Sequence, residues 1–329
     1  MQYRSIKGIS GLGQLGILFA FFGLGFILAG LMQLLIGALI VPPGTPFNNI
    51  ADEMLKAMLK PENVFYTRLA QVIGTFFLLF FPSVLYLIIC HGKNMFWLGF
   101  NKRINIWQIL IGFFLMFFAG IIAAPLEEVS KIAITHFPGL NALALKLENS
   151  YSEQVILLSN LKSWGEFIMA LVIMAFFPAL FEEVFFRGAL QNLLERWWKA
   201  PLMAVIVTSL LFSFIHMSIY LFLSRAVLGF ILGLMYQRSR NIWVNIAAHF
   251  LNNAIALIGL FWLSQQKQKI DPGKLDPHVP IWGALVTVAV VFGLFMLFEK
   301  VSAKNRLLLS FEEQNLIEKD NPIHSIAQN

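Results

Sequence analysis

Runs of apolar residues long enough to cross a bilayer dominate this chain, and a bilayer admits very few folds. Inside hydrocarbon every backbone N–H and C=O must find a partner within the protein, which leaves helices or closed barrels. The apolar stretches lie at approximately 12–41, 69–91, 104–125, 167–190, 201–223, 225–237, 241–263 and 280–299. Most reach the ~20 residues that a spanning helix needs; the sixth is short and reads as a partial span. With 58% hydrophobic and 13% charged residues and a mean hydropathy of +0.73, the composition lies far from that of a soluble domain. The expected fold is all-α: a polytopic integral membrane protein with about eight transmembrane helices.

The single cysteine, Cys90, excludes a disulfide framework and reads as a packed residue at a membrane edge. A net charge of +6 does not imply a nucleic-acid partner, because the basic residues sit in short segments between apolar spans. Those segments hold Arg4 and Lys7; Lys93, Lys102 and Arg103; Arg196 and Lys199; Arg238 and Arg240; and Lys300, Lys304 and Arg306. Positive charge beside span ends marks the cytoplasmic side, so both termini are expected there. The longer segments 42–67, 126–166 and 264–279 carry Glu127, Glu128, Glu148 and Glu153 and are expected outside. The lack of a eukaryotic targeting or retention tail points to a bacterial cytoplasmic membrane.

Four regions follow from this reading: N-terminal spans over 1–125, an extramembrane loop over 126–166, a helical core over 167–263, and a last span with a cytoplasmic tail over 264–329. Residues 44–66 mix apolar and charged positions at helical spacing and are expected to lie on the membrane surface. The loop is expected to hold one or two short helices, and the polar tail to end in a flexible stretch.

The core carries charges that lipid does not tolerate cheaply. A charged side chain at mid-bilayer costs about 3 kcal/mol on insertion scales. In "FEEVFFRGAL", residues 181–190, Glu183 precedes Arg187 by four residues and shares its helix face. The pair can neutralise itself, and Arg187 can instead snorkel toward the interface. Glu182 points about 100° away and has no partner in its own helix. Pro178, four residues earlier, frees the carbonyl of Met174 and predicts a bend.

Two further clusters fall on later spans. "FSFIH" ends at His216, a turn beyond Phe212; "HFLNN" places His249 and Asn253 four apart on one face, with Asn252 turned elsewhere. Each alone suits a packing histidine or an interhelical amide. Together, polar groups in lipid must face one another or water, and one shared membrane-embedded pocket is the economical arrangement. There a carboxylate and an imidazole can take a proton from water attacking a carbonyl, and an imidazole and an amide can stabilise the oxyanion. Glu182, His216 and His249 also form the donor set of a zinc site with an open position, so zinc or no metal fits equally.

Glu182–Glu183–x3–Arg187, Phe212–x3–His216 and His249–x3–Asn253, in this order, resemble the CPBP (CAAX protease and bacteriocin-processing, or Abi) intramembrane proteases over roughly residues 165–263. The resemblance implies an eight-helix hydrolase with a cavity open toward the cytosol. Glu182 and His216 would activate water, His249 and Asn253 would form the oxyanion hole, and Glu183 and Arg187 would shape the site. It is compatible with either a metalloprotease or a metal-free glutamate protease. Membrane lipid and a peptide or membrane-protein substrate are the implied partners; oligomeric state is not legible.

On these boundaries Glu182 and His249 lie about 12 Å from the cytoplasmic edge and His216 about 22 Å. A shared pocket therefore requires helix five to begin in the cytosol, to tilt strongly, or to have different bounds. "PLEEVSK", residues 125–131, reads as a solvated helix start. Ser213 near His216 lacks the GxSxG elbow of a serine hydrolase, and HExxH is absent. His91, His136, His278 and His324 receive no chemistry. Two non-proteolytic readings stand beside the hydrolase: a scaffold or immunity protein of the same fold, and a proton-coupled transporter, which would more often show repeats.

Overall fold

The computed structural model describes residues 3–158, 161, 163–266 and 279–319. His278, His324 and the end of the polar tail lie outside the described residues. Helices carry the chain: α1 Gly11–Ala38, α2 Ile50–Met58, α3 Pro61–Cys90, α4 Ile106–Thr135, α5 Pro138–Leu158, α6 Trp164–Trp198, α7 Pro201–Phe214, α8 Phe222–Ser239, α9 Ile242–Gln265 and α10 Ile281–Lys319. Among the described residues there is no β-strand, only an isolated bridge between Arg4 and Ser10. The chain is a polytopic, all-α integral membrane protein. Each of the eight apolar stretches overlaps a helix, the fifth being helical only to Phe214, and α1, α3, α4, α6, α9 and α10 are long and apolar enough to span. Helix α7 has only 14 residues, and the 18 of α8 include Arg225 and Arg238.

Several sequence expectations change at the helix ends. Residues 126–166 are not mainly loop, because α4 runs on to Thr135 and the 21-residue α5 follows at once. Pro125 and the pair Glu127–Lys131 therefore sit inside α4 rather than at a helix start; the two charges form an i,i+4 ion pair. Helix α10 continues 20 residues beyond Glu299, through the stretch read as tail. The segment 44–66 does contain a short amphipathic helix, α2, which turns Met54 and Ala57 inward.

The π-helical interruptions of α3 and α6 have the same local cause. Each contains Phe-Phe-Pro, at 80–82 and 176–178, and each has a π-helical stretch just before or into it, Phe76–Phe80 and Leu171–Phe176. Proline cannot donate to the preceding turn, and the wider turn takes up the misfit. A second π stretch, Val184–Gln191, follows the acidic pair of α6. Helix α1 packs tightly over the first of these wide turns, where a Cβ on Gly25 would lie 2.1 Å from the Phe77 carbonyl oxygen. Apolar residues of α1, α3, α6, α7 and the turn 95–98 form the largest core cluster around Leu18, Leu98, Phe185 and Leu193.

The basic segments gather at one end of this bundle. The Lys7 amide donates to the Cys90 carbonyl, Asn101 Nδ2 to the Arg240 carbonyl, Arg196 pairs with Glu313 and Arg103 with Glu312. At Gly25, substitution by alanine is expected to destabilise by about 1–3 kcal/mol through overpacking. Gly23→Ala, whose Cβ meets open space, is expected to leave the protein unchanged or slightly firmer; thermal unfolding in detergent compares the two.

Candidate active site

The depth conflict between Glu182 and His216 disappears once helix ends are observed rather than inferred. Helix α6 extends to Trp198, sixteen residues past Glu182, and α7 starts at Pro201, fifteen residues before His216. At 1.5 Å per residue these positions lie about 24 and 22 Å from the hairpin. His216 is also not inside a helix: α7 ends at Phe214, and the chain turns through Met217, whose φ is 52°. A left-handed conformation at a non-glycine residue is uncommon and clusters at functional sites.

Glu183 is fully buried and holds three partners from two helices. Its Oε1 accepts from Arg187 Nη1 at 2.8 Å and from the Nδ1–H of His249 at 2.9 Å; its Oε2 accepts from Asn245 Nδ2 at 3.1 Å. Arg187 is 1% exposed, so it does not snorkel; its Nη2 donates to the Gly229 carbonyl at 2.9 Å. Asn245 Nδ2 reaches the Leu232 carbonyl as well, at 2.7 Å. Thus α6, α8 and α9 meet at one buried carboxylate. Gly229 suits this crossing because a Cβ there would approach the Phe212 ring to 3.0 Å.

Glu182 faces a different set of atoms. Its Oε2 is buried and lacks a hydrogen-bond partner among the described residues, yet lies 3.9 Å from His216 Nε2 and 3.8 Å from His249 Nε2. Both imidazoles are oriented from behind. His216 Nδ1–H donates to the Phe212 carbonyl at 2.7 Å, and His249 Nδ1–H to Glu183. Each Nε2 is therefore turned toward the unpartnered oxygen. The Phe212 ring packs beside all of this, 4.8 Å from the His216 ring, 6.0 Å from that of His249 and 4.8 Å from the Arg187 guanidinium carbon. This gives the Phe at 212 a physical role one turn before His216.

Asn253 lies one turn beyond His249, partly buried, without a recorded hydrogen bond. The sequence reading overlooked Asn245, although Asn245, His249 and Asn253 recur every four residues on one face of α9. It also overlooked the Gly229 carbonyl, for which no sequence signal exists. Beside the His216 turn, α4, α5 and the α7–α8 connection enclose an apolar cavity of about 480 Å³ bounded by Phe214, Met217 and Phe222. Hydrogen bonds from Ser218 to Glu148 and from Tyr220 to Asn141 tie that connection to α5.

The facing atoms of Glu182, His216 and His249 are zinc-type donors, and a second carboxylate behind an imidazole is common at metal sites. Even so, among the described residues no group of three His, Cys, Asp or Glu is arranged to hold a metal ion. The set as placed does not fit a metal centre.

With this geometry in view, comparison with known proteins is informative. Residues 164–255 match the family of type II CAAX prenyl endopeptidase Rce1-like proteins. The motif-bearing segment is thus similar to that family. It bears out the resemblance drawn from the three motifs, and it contains every residue of the cluster described above. Over 105 residues the chain is 30% identical to the uncharacterized protein YpbD of Bacillus subtilis (strain 168), covering 31% of this chain and 48% of that protein. The chain thus spans about half the length of that curated relative. No solved structure matches it.

The two neighbouring glutamates are expected to respond differently to substitution. Glu183→Gln leaves Arg187 buried without its charge partner and is expected to cost about 3–5 kcal/mol. Glu182→Gln removes no hydrogen bond and is expected to leave the unfolding temperature within error of wild type. Thermal unfolding in detergent measures both.

Proposed function

We propose that this chain is an intramembrane endopeptidase of the CAAX-protease type, which cleaves membrane-associated substrates with an activated water. The observation that carries the reading is the unpartnered Oε2 of Glu182 facing two imidazole nitrogens whose other nitrogens are already engaged. A water held among these atoms passes a proton to Glu182 or His216 as its oxygen attacks the scissile carbonyl. His216 suits the task because its Nδ1–H is bound to the Phe212 carbonyl, which leaves Nε2 as the acceptor in the neutral ring.

The resulting oxyanion needs donors. His249 already gives its Nδ1–H to Glu183, so a donation through Nε2 requires the imidazolium form. Asn253 adds an amide from the next turn of α9. The proton taken from water then goes to the leaving amine, which releases both products. Glu183, Arg187 and Asn245 position these groups and do not touch the substrate. No step is routed through a metal.

The apolar cavity beside His216 suits apolar side chains of a substrate drawn from the bilayer. The segment 167–263 is the catalytic unit, and the basic end of the bundle faces the cytoplasm of a bacterial cell. Glu182→Gln and His216→Ala are each expected to lose at least about 100-fold in peptide hydrolysis. The assay uses detergent-purified protein and a peptide library, with and without a chelator. Full activity in Glu182→Gln defeats the mechanism; loss on chelation that zinc restores transfers water activation to a bound metal.

A further inference from the structure

A second polar cavity lies at the basic end of the bundle, away from the acidic pair, and encloses about 850 Å³. Residues 3–8, the turn after α3, the end of α6 and the end of α10 form its walls. Two buried polar atoms of its lining residues have no partner among the described residues: His91 Nδ1 and Trp97 Nε1. His91 is 7% exposed and Trp97 4%, and their rings stack 5.1 Å apart. Buried polar atoms are nearly always paired, so two orphans beside one cavity indicate a ligand or ordered water.

The character of each orphan can be assigned. Trp97 Nε1–H can only donate. The Tyr86 hydroxyl gives its proton to Gln14 Oε1 at 3.0 Å and accepts from His91 Nε2 at 3.3 Å, which leaves His91 Nδ1 as a bare acceptor. Burial, with the Arg196 charge second, pushes His91 down to about 3, so the ring is neutral at physiological pH. The charge balance is positive: Arg4, Lys7 and Arg196 stand against Glu313, which Arg196 already engages. Among the described residues Arg4 Nη1 and Lys7 Nζ donate only to the backbone carbonyls of Gly8 and Ile88. Ile6 and Ile317 add apolar wall.

We propose that this cavity binds an anionic phosphodiester headgroup bearing a hydroxyl, with the phosphate on Lys7, Arg4 and Trp97 Nε1–H and the hydroxyl on His91 Nδ1. A glycerol-type headgroup supplies both halves, whereas a choline headgroup lacks the hydrogen that His91 requires. The source is a membrane phospholipid or a free phosphate ester of the same chemistry. This assignment does not depend on the proteolytic reading, because none of its residues belongs to that cluster.

Full-length protein in detergent is titrated by native mass spectrometry with dioctanoyl phosphatidylglycerol, dioctanoyl phosphatidylcholine and glycerol phosphate. Saturable binding of the glycerol lipid is expected, weaker by about tenfold in Lys7→Gln and in Trp97→Phe, each of which removes a charge-assisted contact. Lys7 is exposed, so its variant reports on binding even if Trp97→Phe fails to fold. Equal binding of glycerol phosphate supports the site and assigns a soluble ligand. Equal binding of the choline lipid, or binding that neither variant weakens, overturns the proposal. Glu182→Gln is expected to bind like wild type, which separates this result from any failure of the catalytic reading.

Discussion

One buried carboxylate organises the motif-bearing half of this protein. Glu183 lies where α6 and α9 cross, and through Arg187 and Asn245 it also fixes the backbone of α8 at Gly229 and Leu232. In an apolar interior an ion pair needs further hydrogen bonds to offset desolvation, and each member of this one has them. The consequence for the site is orientation. His249 turns its Nε2 toward Glu182 because its Nδ1–H belongs to Glu183. Adjacent glutamates thus have opposite characters, one saturated with partners and one left with a bare oxygen.

The backbone of α6 makes this division possible. Two π-helical stretches flank Phe177–Glu183, so the residues before and after the acidic pair do not follow a regular 3.6-residue pattern. Single wide turns recur at functional sites because they redirect side chains without ending the helix. The turn at Met217 acts similarly for His216, bringing an imidazole from beyond the end of α7 back toward α6. Regular helices throughout would have left His216 dependent on tilt alone.

Much of the site was legible because its residues are anomalous in their surroundings. Charges and imidazoles in lipid-length apolar runs require explanation, and i,i+4 spacing identified Glu183–Arg187 and His249–Asn253 as sharing faces. The same spacing contained Asn245, but an asparagine near a span end carries no distinctive signal. The depth of Glu182 was misjudged because hydropathy marks where apolar residues stop and not where a helix stops. Helix α6 continues through "QNLLERWW" and α10 through charged residues to Lys319. There Arg196–Glu313 and Arg240–Glu195 satisfy charges that a hydropathy profile counts as solvent-facing.

The sequence by itself determined the membrane class, the helical architecture, the location of the apolar segments and which charges and imidazoles in them needed partners. Those properties follow from solvent: hydrocarbon excludes unpaired backbone and unpaired charge wherever the chain places them. Only the tertiary structure decided which further partners Glu183 holds, where the helices end, and that a polar-lined cavity forms at the basic end. These depend on contacts between residues distant in sequence, such as Glu183 with His249 and Arg196 with Glu313, and no local pattern encodes such a distance.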